Sequence, residues 1–157
     1  MPSRRLDFTA DLPRKRMADA LLITDPKRRA LPAYNAEWEI PDGCIEADES
    51  PYQATVRGCR EELGLDLSPG RLLVVDWVPA HGRRTDGVML VYDGPRPRRG
   101  PGGTHCVPPD ELQGWAWSDP PQPAQRPRPL LARQVAKALS ARADGSARYL
   151  EDAVQVT

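Results

Sequence analysis

Hydrophobic positions in this chain fall into a few short runs separated by polar, proline-rich stretches. Met17 to Thr24 reads M-A-D-A-L-L-I-T, an apolar run of strand length. Asp25-Pro26 follows it as a turn signal. Residues 29 to 34 offer a second strand, but Pro32 has no N–H to donate to a ladder. Glu37 to Ile40 (E-W-E-I) alternates and stops at Pro41. Leu72 to Val78 (L-L-V-V-D-W-V) and Val88 to Tyr92 (V-M-L-V-Y) are nearly unbroken apolar runs, as central strands require. Trp115 to Ser118 (W-A-W-S) alternates like another strand.

Two helices are predicted. The first covers residues 51 to 63: Ser50 suits the N-cap, Pro51 the first helical position, Gln53 a capping box, and Gly64 the stop. The second covers residues 130 to 143, with Leu130, Leu131, Val135, Ala138 and Leu139 on one face for packing. Residues 1 to 16 are polar and read as a loose arm. Residues 93 to 109 read as a long loop, and residues 119 to 129 as a stiff proline-rich linker. There is no internal repeat. A chain of 157 residues suits one domain, 1–157, with a sizeable core. Strands and helices mix irregularly, which favours an α/β sandwich over a regular βαβ array.

Charge narrows the partners. Lysine and arginine total 22, aspartate and glutamate total 22, and the formal net charge is zero. That gives no electrostatic argument for nucleic acid or an acidic membrane. Cys44, Cys59 and Cys106 are odd in number and have no C-x-x-C spacing, so free thiols in a reducing compartment are expected. No run approaches the roughly 20 apolar residues of a membrane span, and the first residues have no apolar leader core. A soluble, cytoplasmic protein is expected.

The chemistry concentrates in residues 43 to 65, G-C-I-E-A-D-E-S-P-Y-Q-A-T-V-R-G-C-R-E-E-L-G-L. Residues three and four apart on a helix share a face, so Glu61 and Glu62 project near positions 58 and 54. Adjacent carboxylates repel, and a bound Mg²⁺ or Mn²⁺ removes that penalty. Such a cation polarises a phosphoryl oxygen. Glu49 and Arg57 are placed to form an ion pair fastening the entering loop to the helix. Gly43 suits a tight turn with positive φ that faces backbone oxygens toward the cation. A lone Glu-Glu pair is ordinarily a solvated helix end; the full spacing is what points to a site.

That spacing resembles the Nudix box, G-x5-E-x7-R-E-U-x-E-E-x-G-U, where U is bulky and apolar. Gly43, Glu49, Arg57, Glu61, Glu62, Gly64 and Leu65 match it, and Cys59 stands at the first U. W-E-I-P before the box resembles the family's approach strand. The resemblance implies an α/β/α sandwich with a central mixed β-sheet. It also implies a diphosphate hydrolase using Mg²⁺ or Mn²⁺ on a small phosphorylated substrate, and homodimerisation as a family habit. Asp42 inherits a metal-binding role through its backbone carbonyl. Two departures stand out. Gly58 replaces the Glu that follows the box Arg, a frequent metal ligand or base, and Asp42 replaces the first of two entrance glycines.

With that Glu missing, the general base is sought on a later loop. Glu111 is the choice there, beside Asp110 and His105, with His81 as a further histidine. Arg83 and Arg84, and Arg96, Arg98 and Arg99, are arginines able to grip a diphosphate or simply to solvate loops. Trp38, Trp77, Trp115 and Trp117 are core residues by default, any one of them able to stack on a base. Pro79, 15 residues after Gly64, resembles a feature of the ADP-ribose-cleaving branch. Three functions stay open. The first is a pyrophosphohydrolase cleaving a nucleoside diphosphate linked to another moiety (NDP-sugar or ADP-ribose type) or an NTP, by water attack at phosphorus. In it Glu61, Glu62, Arg57 and Glu111 carry catalysis. The second is a domain that binds a nucleotide or phosphorylated metabolite without turnover. The third is a repurposed enzyme acting on another metabolite or a non-nucleotide diphosphate.

Overall fold

A computed structural model describes residues 12–24, 40–95 and 129–156, together with Ala10. Its elements run β1 (Arg16–Leu22), β2 (Asp42–Cys44), α1 (Pro51–Leu63), β3 (Leu72–Val78), β4 (Gly87–Asp93), α2 (Pro129–Asp144), β5 (Arg148–Glu151) and β6 (Val154–Gln155). The strands form one mixed sheet in the order β2-β1-β4-β3-β5-β6. β1 pairs parallel with β4, and β3 with β5; the other neighbours are antiparallel.

The alternation of side chains along β1 sorts the core. Ala20 and Leu22 pack with Val74, Met89, Val91 and Leu150 against Leu131, Val135 and Ala138 of α2. Leu21 and Ile23 pack with Cys59 and Leu63 of α1. The two helices therefore cover opposite faces of the sheet, the α/β/α sandwich that the resemblance implied. The second half of β1, from Asp19 to Leu22, is buried on both faces because it lies inside the sheet.

The three long strands and both helices lie where the apolar pattern puts them, within a residue or two. β1 ends at Leu22 rather than Thr24, which forms only an isolated bridge. Pro129, assigned to the linker, opens α2 instead. The predicted arm is tied down where it meets the sheet: Lys15 pairs with Asp86, and the Arg16 amide donates to the Asp86 carbonyl at 3.3 Å. β2, β5 and β6 were not anticipated; they have three, four and two residues, too few to show a period. The strands expected at 29–34 and 115–118, all of 37–40 except the buried Ile40, and the linker up to residue 128 lie outside the described residues. Among the described residues no helix is long and apolar enough to cross a membrane.

Candidate functional site

α1 is fixed at both ends by local chemistry. The Gln53 amide donates to Ser50 Oγ at 3.2 Å and the Ser50 amide to Gln53 Oε1 at 2.9 Å, a complete capping box. Gly64 closes the helix in the left-handed conformation, φ 69°, its N–H donating to the Arg60 carbonyl. The helix therefore has one rotational setting. It buries Ala54, Thr55, Gly58, Cys59 and Leu63 and leaves Glu61 and Glu62 exposed at its end.

Arg57 organises the surface beside them. Its Nε and Nη2 donate to the two oxygens of Glu49 at 2.8 and 2.9 Å, a bidentate pair. Nη2 also donates to the Cys44 carbonyl at 3.0 Å, and Nη1 to Glu61 Oε2 at 3.0 Å. One guanidinium thus joins the loop, the end of β2 and an acid of the helix. Its hydrogen bonds hold the Glu49 carboxyl below the usual carboxylate range, and Glu49 in turn pushes the guanidinium further above its own. The ion pair expected from spacing is present, and it reaches one acid further than expected.

Gly43 departs from the expectation. It is not a positive-φ turn; it lies in strand β2, paired with Asp19 of β1. A Cβ there would stand in ordinary contact, 3.9 Å, with Asp19 Oδ1. At Gly58 a Cβ would meet only the Asp42 carbonyl oxygen, also at 3.9 Å. The Asp42 carbonyl therefore borders the space that an acid at position 58 would enter.

Asp19 is the residue that sequence reasoning missed. It is 2% exposed, and its Oδ1 has no hydrogen-bond partner. Burial raises its pKa, against the lowering effect of a Thr55 hydrogen bond and of the Arg57 charge. Burial also pushes the neighbouring Cys59 thiol up to about 12, assisted by the charges of Glu62 and Asp19. Cys59 is thus an inert buried thiol, and the two acids lie near it. The available signal was an acid inside a short apolar run read as a strand, since unpaired buried acids are rare.

The donors here are carboxylate and carbonyl oxygens, which suit a hard cation. Among the described residues no three His, Cys, Asp or Glu side chains already converge on a common point. Residues of this chemistry would suit a hard divalent cation, held by carboxylate and carbonyl oxygens.

A groove of about 370 Å³ opens along the α2 side of the sheet, with Asp42 in its lining. Ala18, Met89 and Leu131 form apolar wall; Arg16 and Arg84 add positive charge. Of the other candidates, Arg83 and His81 are exposed on the β3–β4 turn, where His81 and Arg84 exchange backbone hydrogen bonds at 3.0 Å. Trp77 is structural: its Nε1 donates to Asp86 Oδ2 at 3.2 Å. Glu111, Asp110, His105, Arg96, Arg98, Arg99, Trp38, Trp115, Trp117 and Cys106 lie outside the described residues.

A family model for the NUDIX domain matches residues 13–139. The chain belongs to the Nudix family. An RNA pyrophosphohydrolase of Gluconacetobacter diazotrophicus is 34% identical over 80 residues, covering 44% of this chain and 48% of that protein. A CTP pyrophosphohydrolase of Escherichia coli strain K12 is 40% identical over 53 residues, 34% of this chain and 36% of that protein. This Nudix chain thus spans no more than about half the length of these two relatives. Among solved structures, a UDP-X diphosphatase superposes with a TM-score of 0.67 at 16% identity, covering 92% of this chain and 71% of that one. That likeness is one of fold.

Proposed function

We propose that this Nudix chain is a Mg²⁺- or Mn²⁺-dependent pyrophosphohydrolase acting on a nucleoside diphosphate linked to another moiety, of the NDP-sugar or ADP-ribose type, or on an NTP. Water attacks phosphorus in this reading. The observation that carries it is the Arg57 clasp, which sets Glu61 and Glu62 on a fixed helix. The Asp42 carbonyl beside Gly58 supports it. The names borne by the two sequence relatives, both pyrophosphohydrolases, agree with it.

Each residue has a part. Glu62 and Glu61, with the Asp42 carbonyl, hold the cation, which when bound supplies charge neutralisation and polarises a phosphoryl oxygen. Arg57 and Glu49 are positioning residues: Arg57 ties Glu61 and the end of β2, the strand that carries Asp42 and Gly43, to the loop at Glu49. Glu111 takes the proton of the attacking water. The substrate is small and phosphorylated, with no nucleic acid or membrane involved, and the protein works in the cytoplasm as a homodimer.

One observation favours a second reading, binding without turnover. Position 58 carries no acid, and Glu61 already gives an oxygen to Arg57. A single assay separates the two. The purified chain is incubated with Mg²⁺ or Mn²⁺ and a panel of NDP-sugars, ADP-ribose and NTPs, and phosphorylated products are measured. Turnover that Glu62→Gln abolishes supports hydrolysis. Tight binding with no product, and product gained by Gly58→Glu, supports the second reading.

A further inference from the structure

We propose that Asp19 supplies, from strand β1, a carboxylate oxygen to the divalent cation of this site, in place of the acid that position 58 lacks. The inference rests on the cation-binding part of the reading above. Asp19 is 2% exposed, yet its Oδ1 has no hydrogen-bond partner. A buried polar atom left unpaired is costly, and such atoms persist where a ligand completes them.

Its position fits that ligand. Asp19 and Gly43 are directly paired in antiparallel strands, so their side-chain directions share the α1 face of the sheet. Gly43 places no Cβ there, and Gly58 of α1 places none opposite the Asp42 carbonyl. Two missing side chains leave room beside two oxygens, Asp19 Oδ1 and the Asp42 carbonyl, each 3.9 Å from one of the absent Cβ positions. Glu62 belongs to α1, the helix that packs on this same face of the sheet. A strand paired on both sides cannot swing, so this oxygen is held in place before a cation arrives.

The test is a Mn²⁺ titration of the full chain without substrate, followed by electron paramagnetic resonance. Asp19→Asn weakens Mn²⁺ binding about tenfold or more. It also raises the cation-free Tm, because a neutral isostere removes a buried charge, and it narrows the rise in Tm that Mn²⁺ produces. Gly58→Glu added to Asp19→Asn restores the affinity. A purely structural Asp19 gives the opposite pattern: Asp19→Asn and Asp19→Ser both lower the cation-free Tm, and Mn²⁺ affinity is unchanged while Glu62→Gln loses it. That result overturns the inference and leaves the hydrolase reading standing. A wild-type chain that binds no Mn²⁺ overturns both.

Discussion

Among the described residues each face of the sheet buries one aspartate, and the two are treated differently. Asp76, on the α2 face, is fully buried and fully partnered. Gln134 Nε2 donates to its Oδ2 at 2.6 Å, and the Ala153 amide donates to Oδ1 and Oδ2 at 3.0 and 3.1 Å. It staples α2 and the β5–β6 turn to β3, and that turn needs a staple, since Asp152 and Ala153 both have positive φ. Asp19, on the α1 face, is as deeply buried but has one oxygen unpaired. The same residue type in the same sheet is thus finished on one face and unfinished on the other. Only the unfinished one lies beside the family's box. Burial alone does not mark function; burial with an unmet bond does.

The largest effect that separates the two faces is on activity. Glu62→Gln lowers turnover of the hydrolysed diphosphate roughly 100- to 1,000-fold, since charge neutralisation by a bound cation is worth several kcal/mol. Asp76→Ala leaves turnover per folded molecule nearly unchanged. Thermal denaturation shows its effect instead. Two buried donors lose their acceptor, at about 3 kcal/mol, which lowers Tm by roughly 6–12 °C. If Asp76→Ala abolished turnover in folded protein, the contrast between the faces would collapse.

Arg57→Lys comes next. Lysine cannot reproduce a bidentate pair together with bonds to Cys44 and Glu61. Turnover and Mn²⁺ affinity each fall about tenfold, because the acids lose their positioning partner. Gly58→Ala is smaller and opposite in sign for stability. The added Cβ meets only ordinary contact with the Asp42 carbonyl, so helix propensity dominates and denaturant unfolding shows a gain of about 1 kcal/mol.

The smallest effect is in pH. The folded Glu49 carboxyl lies below its ordinary value of 4.5. Its contribution to stability is therefore complete above that value and is lost as pH falls through the lower folded value. The Tm difference between wild type and Glu49→Gln should be largest near neutrality and vanish in strong acid. Asp19 and Asp76 act in the other sense. Their folded values are raised above 3.8, so ionisation weighs on stability above the folded value and is relieved as pH falls.

Much of this was legible before any coordinates. The limits of α1 are set by Ser50, Pro51, Gln53 and Gly64, all within one turn of the ends they fix, so sequence neighbours suffice. The Glu49–Arg57 pair follows from fixed helical spacing. Gly43 lies in a strand rather than a turn because its conformation is set by pairing with Asp19, which no local glycine signal reveals. β2, β5 and β6 take their strand character from the neighbours they pair with, not from their own short segments. Asp19 could be marked as odd in an apolar run. That it faces Gly43, with Gly58 and the Asp42 carbonyl nearby, is tertiary information that no local pattern carries.

The account turns on where a hard cation settles, and amide NMR with substoichiometric Mn²⁺ reads that location. The signals of Asp19, Asp42, Gly43, Gly58 and Glu62 should broaden first, while Asp76 and Ala153 stay sharp until far more metal is added. Broadening that spares the α1 residues, or that spreads evenly over exposed carboxylates on both faces, would contradict it.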